Sequence, residues 1–133
     1  MVVCEVKLMN ELIEKAREAL QFSYSPYSDF SVGAAVLCSD GSVFTGCNIE
    51  NASYGATVCA ERVAMWKAVS EGRRDMKAIA IVCKADQFPM PCGMCRQVMA
   101  EFMPDGDVYV ARNDEVKSFK VCELIPHSFE LEN

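Results

Sequence analysis

The chain has 133 residues, half of them apolar and about a quarter charged, with a net charge of −6. That length suits one domain, expected over residues 1–133, with a core that buries about two thirds of the unfolded surface. Neither a nucleic acid nor a membrane is expected as partner: apart from Arg73-Arg74 no basic cluster could displace counterions from a nucleic acid, and no apolar run nears the roughly 20 residues of a helix that spans a bilayer.

Leu8, Leu12, Ile13, Ala16, Ala19 and Leu20 recur at helical spacing, which predicts an amphipathic helix over residues 6–21. A polar loop follows at 23–31. Residues 32–38 form an apolar run, Ser39-Asp40-Gly41-Ser42 is a turn signal, and 43–49 completes a hairpin. Residues 48–57 are a loop rich in Asn, Ser and Gly. A helix over 59–70 carries Val63, Trp66 and Val69 on one side and stops near Gly72. A buried strand is expected at 78–83, a helix at 93–103 after Pro89 and Pro91, a strand at 108–111, a weaker strand at 116–120 and a short helical turn at 121–125. Strands separated by helices require crossovers and some parallel pairing. The expected fold is therefore α/β: a three-layer α/β/α sandwich around a mixed, roughly five-stranded sheet.

Eight cysteines are many for this length. The opening residues show no basic segment and no cleavage pattern, so no signal peptide is read. Cys38, Cys83 and Cys122 lie in apolar runs, where free cysteine behaves as a small hydrophobe. A reducing, cytoplasmic setting fits these features better than a disulfide framework. Clustered cysteines then point to metal or redox chemistry.

Two motifs carry that chemistry: Cys59-Ala60-Glu61-Arg62 and Pro91-Cys92-Gly93-Met94-Cys95-Arg96-Gln97. Cys92 and Cys95 have the spacing that brings two sulfurs to one ion at a helix start. Cys59 would come from another helix, and three protein ligands leave a tetrahedral ion one open position, the mark of a catalytic site. Residues two apart on a helix point in nearly opposite directions. Cys59 and Glu61 therefore share a site only if Cys59 lies at the extreme helix start, which the preceding Gly55-Ala56-Thr57 allows. Three thiolates on Zn²⁺ leave a net negative charge, which two helix N-termini and hydrogen bonds from Arg62 would offset. Taken alone, Cys92 and Cys95 also fit a redox pair, or a structural zinc with Cys47 or Cys83 as fourth ligand. Arg96 fits a thiolate contact and a solvated helix face equally. His127, the sole histidine, reads as a surface group, and Met65, Met94, Met99 and Met103 read as core or interface packing.

Cys59 with Glu61, and Pro91-Cys92 with Cys95, follow the zinc-deaminase pattern in its three-cysteine form. Together with Ser25-Pro26-Tyr27-Ser28, Phe30, Val32-Gly33-Ala34-Ala35, Thr45-Gly46-Cys47-Asn48 and Glu50-Asn51-Ala52-Ser53-Tyr54-Gly55, they make the chain resemble the tetrameric, three-cysteine cytidine deaminases from residue 12 to residue 129. The resemblance implies one Zn²⁺ per subunit on Cys59, Cys92 and Cys95. It implies that Glu61 moves protons, to N3 of cytosine and then to the departing ammonia, while hydroxide from a metal-activated water attacks C4. It further implies that Phe30 packs on the pyrimidine, that Asn48 and Glu50 bind the ribose and that the Ala60 backbone meets the base. Ala52, Tyr54 and Phe129 would be lent by neighbouring subunits of a homotetramer with shared sites. The implied substrate is a small pyrimidine nucleoside, cytidine or deoxycytidine. Met94 stands where that family has a smaller residue, which predicts altered packing behind the metal. Two other functions remain: a deaminase of another aminopyrimidine nucleoside, and a zinc-stabilised binding module without turnover.

Overall fold

The computed structural model describes residues 2–132. Its elements run α1 (Val2–Leu20), β1 (Val32–Cys38), β2 (Val43–Cys47), a 3₁₀ turn (Tyr54–Ala56), α2 (Ala60–Ser70), β3 (Met76–Cys83), α3 (Gly93–Phe102), β4 (Asp107–Arg112), β5 (Glu115–Lys120) and α4 (Val121–Leu124). The strands form one sheet in the order β2-β1-β3-β4-β5. β1 is antiparallel to β2 and to β3, β3 is parallel to β4, and β4 is antiparallel to β5. The parallel step needs a crossover, and α3 provides it.

Side chains alternate across a strand, so each buried strand divides its residues between two layers. Ala34, Val36, Ile79, Ile81, Val108 and Val110 face α2, α3 and α4, where they meet Ala64, Met65, Met99, Met103 and Val121. Ala35, Ala78, Ala80 and Ala111 face the other way, against Leu12, Ile13 and Ala16 of α1. Bulky residues thus pack beneath the helices that carry the site, and alanines let α1 lie close on the opposite face. The result is the expected three-layer sandwich.

Two glycines set the helices at their depth. A Cβ on Gly33 would lie 2.2 Å from the Ala16 carbonyl oxygen, and one on Gly46 would lie 2.5 Å from the Ala60 carbonyl oxygen. Only a bare backbone lets α1 sit on β1 and the first turn of α2 sit on β2.

Several expectations are corrected. α1 begins at Val2 rather than at residue 6, because Val3, Cys4 and Glu5 continue the helix while exposed and leave no burial pattern to read. Leu8 is also exposed. The buried face of α2 is Ala64, Met65 and Ala68, whereas Trp66 is half exposed and Val63 and Val69 lie at the margins. Small residues win that face because Gly46 draws the helix against the sheet. Cys122 is exposed, not core. Met94 is 64% exposed, so its extra bulk meets solvent and leaves the packing behind the cysteines unaltered. No described helix is long and apolar enough to cross a membrane.

Candidate active site

The site is built where two helices begin. Cys59 is the residue just before α2 and has an extended backbone, φ −69° and ψ 152°. It therefore stands outside the helical register, and this is how it shares a site with Glu61. Cys92 occupies the same position before α3, with φ −73° and ψ 170°, and Cys95 lies in the first turn of that helix. The three sulfurs lie within 4.8 Å of one another, and the Cys59 and Cys92 sulfurs are 3.7 Å apart.

That spacing tests whether a metal fits. Zinc–thiolate bonds of about 2.3 Å in tetrahedral geometry place neighbouring sulfurs about 3.8 Å apart. The donor set is all thiolate, which favours zinc over hard cations. Among the described residues neither Cys47 nor Cys83 joins the cluster; the Cys83 thiol instead donates to the carbonyls of Ala85 and Gln87, each at 3.3 Å. The three cysteines would hold one zinc and leave a position open.

The surroundings favour thiolates. Both helix N-termini bring partial positive charge to the sulfurs. Arg62 Nη2 donates to Cys59 Sγ at 3.4 Å, its Nε is buried without a partner, and its guanidinium lies 5.8 Å from the Trp66 ring centre. Without metal, a hydrogen bond from Cys95 holds Cys59 down at about 5 against the effect of burial, with further help from Arg62 and Cys92. Cys95 is the proton-bearing member of that pair and is raised accordingly. Glu61 is 4% exposed. Burial pushes its carboxyl up to about 7, and the negative Cys59 pushes the same way, against hydrogen bonds from its own backbone and from Cys95. A carboxyl balanced near neutrality can both take and give a proton.

A cavity of about 390 Å³ opens over this centre, within the range of small-molecule sites. Phe30, Asn48, Ala60, Glu61, Cys59 and Cys92, six of the residues singled out from the sequence, line it. A hollow of about 450 Å³ between α1 and the β4 side of the sheet is larger, but its polar lining is led by the Lys120–Asp107 ion pair at 2.7 Å and contains no cysteine. The chemistry lies in the smaller cavity.

The other expected residues divide. Asn48 reaches the cavity, but its amide is committed to the fold: Oδ1 accepts from Val32 N at 2.9 Å and from Ser23 Oγ, and Nδ2 donates to the Phe30 carbonyl at 2.7 Å. It thereby fixes the backbone that presents Phe30. Glu50 and Tyr54 line an adjoining hollow that shares Thr57 with the main cavity. The Glu50 carboxylate accepts from Tyr27 N at 2.9 Å, Ser28 N at 3.1 Å and Ser28 Oγ. Tyr54 is 75% exposed and meets Tyr27 edge-on at 6.1 Å. Ala52 and Phe129 are exposed and line neither space.

Sequence reasoning missed the far wall, formed by Gln87, Phe88, Pro89 and Met90. Phe88 is held by two cations, Arg112 at 4.7 Å and Lys117 at 4.3 Å from its ring centre. Pro89 and Pro91 were the available signal: two prolines just before a ligand cysteine stiffen the approach. Arg96 is half-buried and its guanidinium meets no thiolate. It donates to the carbonyls of Pro91 and Leu124 at 2.8 and 2.9 Å.

A mixed α/β sheet that sets an open three-thiolate metal site beside a buried acid defines a metal-dependent hydrolytic enzyme. Known proteins narrow that class. Residues 6–112 match the family model described as the cytidine and deoxycytidylate deaminase zinc-binding region, and the chain belongs to this family. It is 52% identical to a cytidine deaminase of Halalkalibacterium halodurans over 92% of this chain and 94% of that protein. It superposes on the crystal structure of cytidine deaminase from Burkholderia pseudomallei with a TM-score of 0.86 at 44% identity, covering 90% of this chain and 98% of the other. A more distant relative, a blasticidin-S deaminase of Bacillus cereus, is 32% identical over 87% of this chain and 88% of its own.

Proposed function

We propose that this chain hydrolyses the amino group from cytidine and deoxycytidine, releasing ammonia and the corresponding uracil nucleoside, as a step of pyrimidine salvage in the cytoplasm. The observation that carries this reading is Glu61: a carboxyl shifted to about 7, buried beside three clustered sulfurs at the floor of a nucleoside-sized cavity. Zinc held by Cys59, Cys92 and Cys95 would supply the Lewis acidity that makes a water acidic near neutral pH. Glu61 delivers a proton to N3 of the cytosine ring and then moves the proton of the new C4 hydroxyl to the departing amine, so that the C4 carbonyl forms as ammonia leaves. Phe30 stacks on the ring, and the Ala60 backbone orients the base. Arg62 draws charge from the Cys59 thiolate. The whole chain acts as one catalytic domain, supported by the single sheet that runs from β1 to β5.

The working unit is a homotetramer whose chains complete each other's sites. Tyr54 and Phe129 support this, because an exposed aromatic ring gains little until a neighbour covers it. Closed symmetry then makes four equivalent sites. Ala52 would enter by the same contact, and Asn48 and Glu50 would meet the ribose, Glu50 by sharing its carboxylate with Ser28.

Ammonia release from cytidine by zinc-loaded protein tests the proposal. Steady turnover supports it, and its absence in protein with full zinc would favour a binding module. The blasticidin-S deaminase relative motivates a second reading, an amino-pyrimidine antibiotic as the preferred substrate. A kcat/KM for blasticidin S above that for cytidine would favour it.

A further inference from the structure

Two neighbouring side chains on α3 tie the C-terminal segment to the metal-bearing helix, and the chemistry above gives neither a role. Arg96 and Gln97 directly follow Cys95. Arg96 donates through Nε to the Pro91 carbonyl at 2.8 Å and through Nη1 to the Leu124 carbonyl at 2.9 Å. The first acceptor immediately precedes Cys92, and the second closes α4. Gln97 Nε2 donates to the Phe129 carbonyl at 2.9 Å. Three carbonyls, one from the metal loop and two from the C-terminal segment, thus converge on two adjacent residues.

Packing alone does not explain the course of the tail. Val121 is buried, and Leu124 and Ile125 rest on the core. Beyond them residues 126–132 are exposed apart from half-buried Ser128. His127 adopts φ 55°, a left-handed conformation that side-chain-bearing residues seldom take, and the chain turns there. Among the described residues, the Gln97 contact is the one hydrogen bond that reaches beyond Ile125. A guanidinium with five fixed donors suits the bridging of two carbonyls, and a side-chain amide suits the capture of one.

We propose that Arg96 and Gln97 are positioning residues that hold the C-terminal segment, and with it the Phe129 ring, in fixed relation to the metal loop. Arg96 pins the start of the segment to the Cys92 loop, and Gln97 pins its end. Both anchors sit on the helix that carries Cys95, so the ligand cysteines and the ring offered to a neighbouring chain share one frame. The inference rests on the reading of Phe129 as a substrate-site contact.

The test measures KM, kcat and zinc content with cytidine for Gln97→Ala, Phe129→Ala and the double variant. Loss of one hydrogen bond in Gln97→Ala should raise KM about two- to tenfold, with kcat little changed and zinc retained. The double variant should match Phe129→Ala, because a loosened tail without its ring has nothing to misplace. Arg96→Lys, whose point-like ammonium cannot bridge both carbonyls, should raise KM in the same direction; an unchanged KM there would overturn the assignment to Arg96. Unchanged KM in Gln97→Ala, with a raised KM in Phe129→Ala, would overturn the inference alone. Unchanged KM in Phe129→Ala would remove the reading of Phe129 and the inference with it. Additive effects in the double variant would separate Gln97 from Phe129 and also overturn it.

Discussion

Glu61 and Glu50 lie close in sequence, yet their surroundings drive them in opposite directions. Glu61 sits in the first turn of α2, and burial raises it to about 7. Glu50 sits in an open hollow, and a hydrogen bond from the Ser28 hydroxyl leads the contacts that lower it. The first is balanced to exchange protons. The second is held as a carboxylate, suited to accepting hydrogen bonds from hydroxyls. The contrast extends to what surrounds each. Around Glu61, one chain supplies the ligand cysteines, the arginine and the cavity floor. Around Glu50, the aromatic Tyr54 is open to solvent. On the proposed reading, one chain supplies the bond-breaking chemistry and a neighbouring chain completes the substrate enclosure.

The contrast can be broken most forcefully at Glu61. Glu61→Gln preserves shape and removes the exchangeable proton, so turnover should fall by about 10²–10⁴ while zinc and fold remain. Retention of a tenth of wild-type activity would show that another group carries the protons.

The same residue sets a pH dependence in zinc-free protein. Its folded pKa is raised from 4.5 to about 7, so the fold favours the protonated carboxyl. That contribution is fully present below about 4.5 and is lost as pH rises through about 7. Relative to Glu61→Gln, the zinc-free wild type should lose on the order of 3 kcal/mol across this window. Parallel denaturant titrations at several pH values would measure it, and identical pH profiles for the two proteins would refute the shift.

Glu50 predicts discrimination against phosphate. Its hollow is lined by Tyr27, Ser28, Tyr54 and Thr57, with no cation to pair a phosphate. Cytidine monophosphate should therefore show a kcat/KM roughly ten- to a hundredfold below that of cytidine, as expected for an unpaired charge. Equal efficiencies would mean that the ribose end lies elsewhere.

Tyr54→Ala should have the smallest effect, a KM raised about two- to tenfold, as for loss of one aromatic contact, with kcat unchanged. A fall in kcat without a change in KM would place Tyr54 in the chemistry instead.

The sequence made the metal centre legible because its signal is local. Cys92 and Cys95 share a turn, and the Gly55-Ala56-Thr57 approach allowed Cys59 to precede its helix. The strands were legible too, since their apolar runs end at turn residues such as Asp40-Gly41. What stayed hidden depends on backbone partners distant in the chain. Arg96 was ambiguous because its acceptors, the Pro91 and Leu124 carbonyls, have no sequence signature. Asn48 read as a ligand, yet its amide is largely spent on Val32, Phe30 and Ser23. The inward face of α2 is hidden in the sequence because its small residues Ala64 and Ala68, which pack closely against the sheet, carry a weaker apolar signal than the half-exposed Trp66. The wall around Phe88 is held by Arg112 at the end of β4 and by Lys117 of the edge strand β5, both distant from it in the chain.

The division between a complete chemical centre and an incomplete enclosure is tested most directly by sedimenting the enzyme through cytidine and following the boundary at which substrate is consumed. The active species should move with the mass of four chains. A boundary of full specific activity that moves with the mass of one chain would contradict the account.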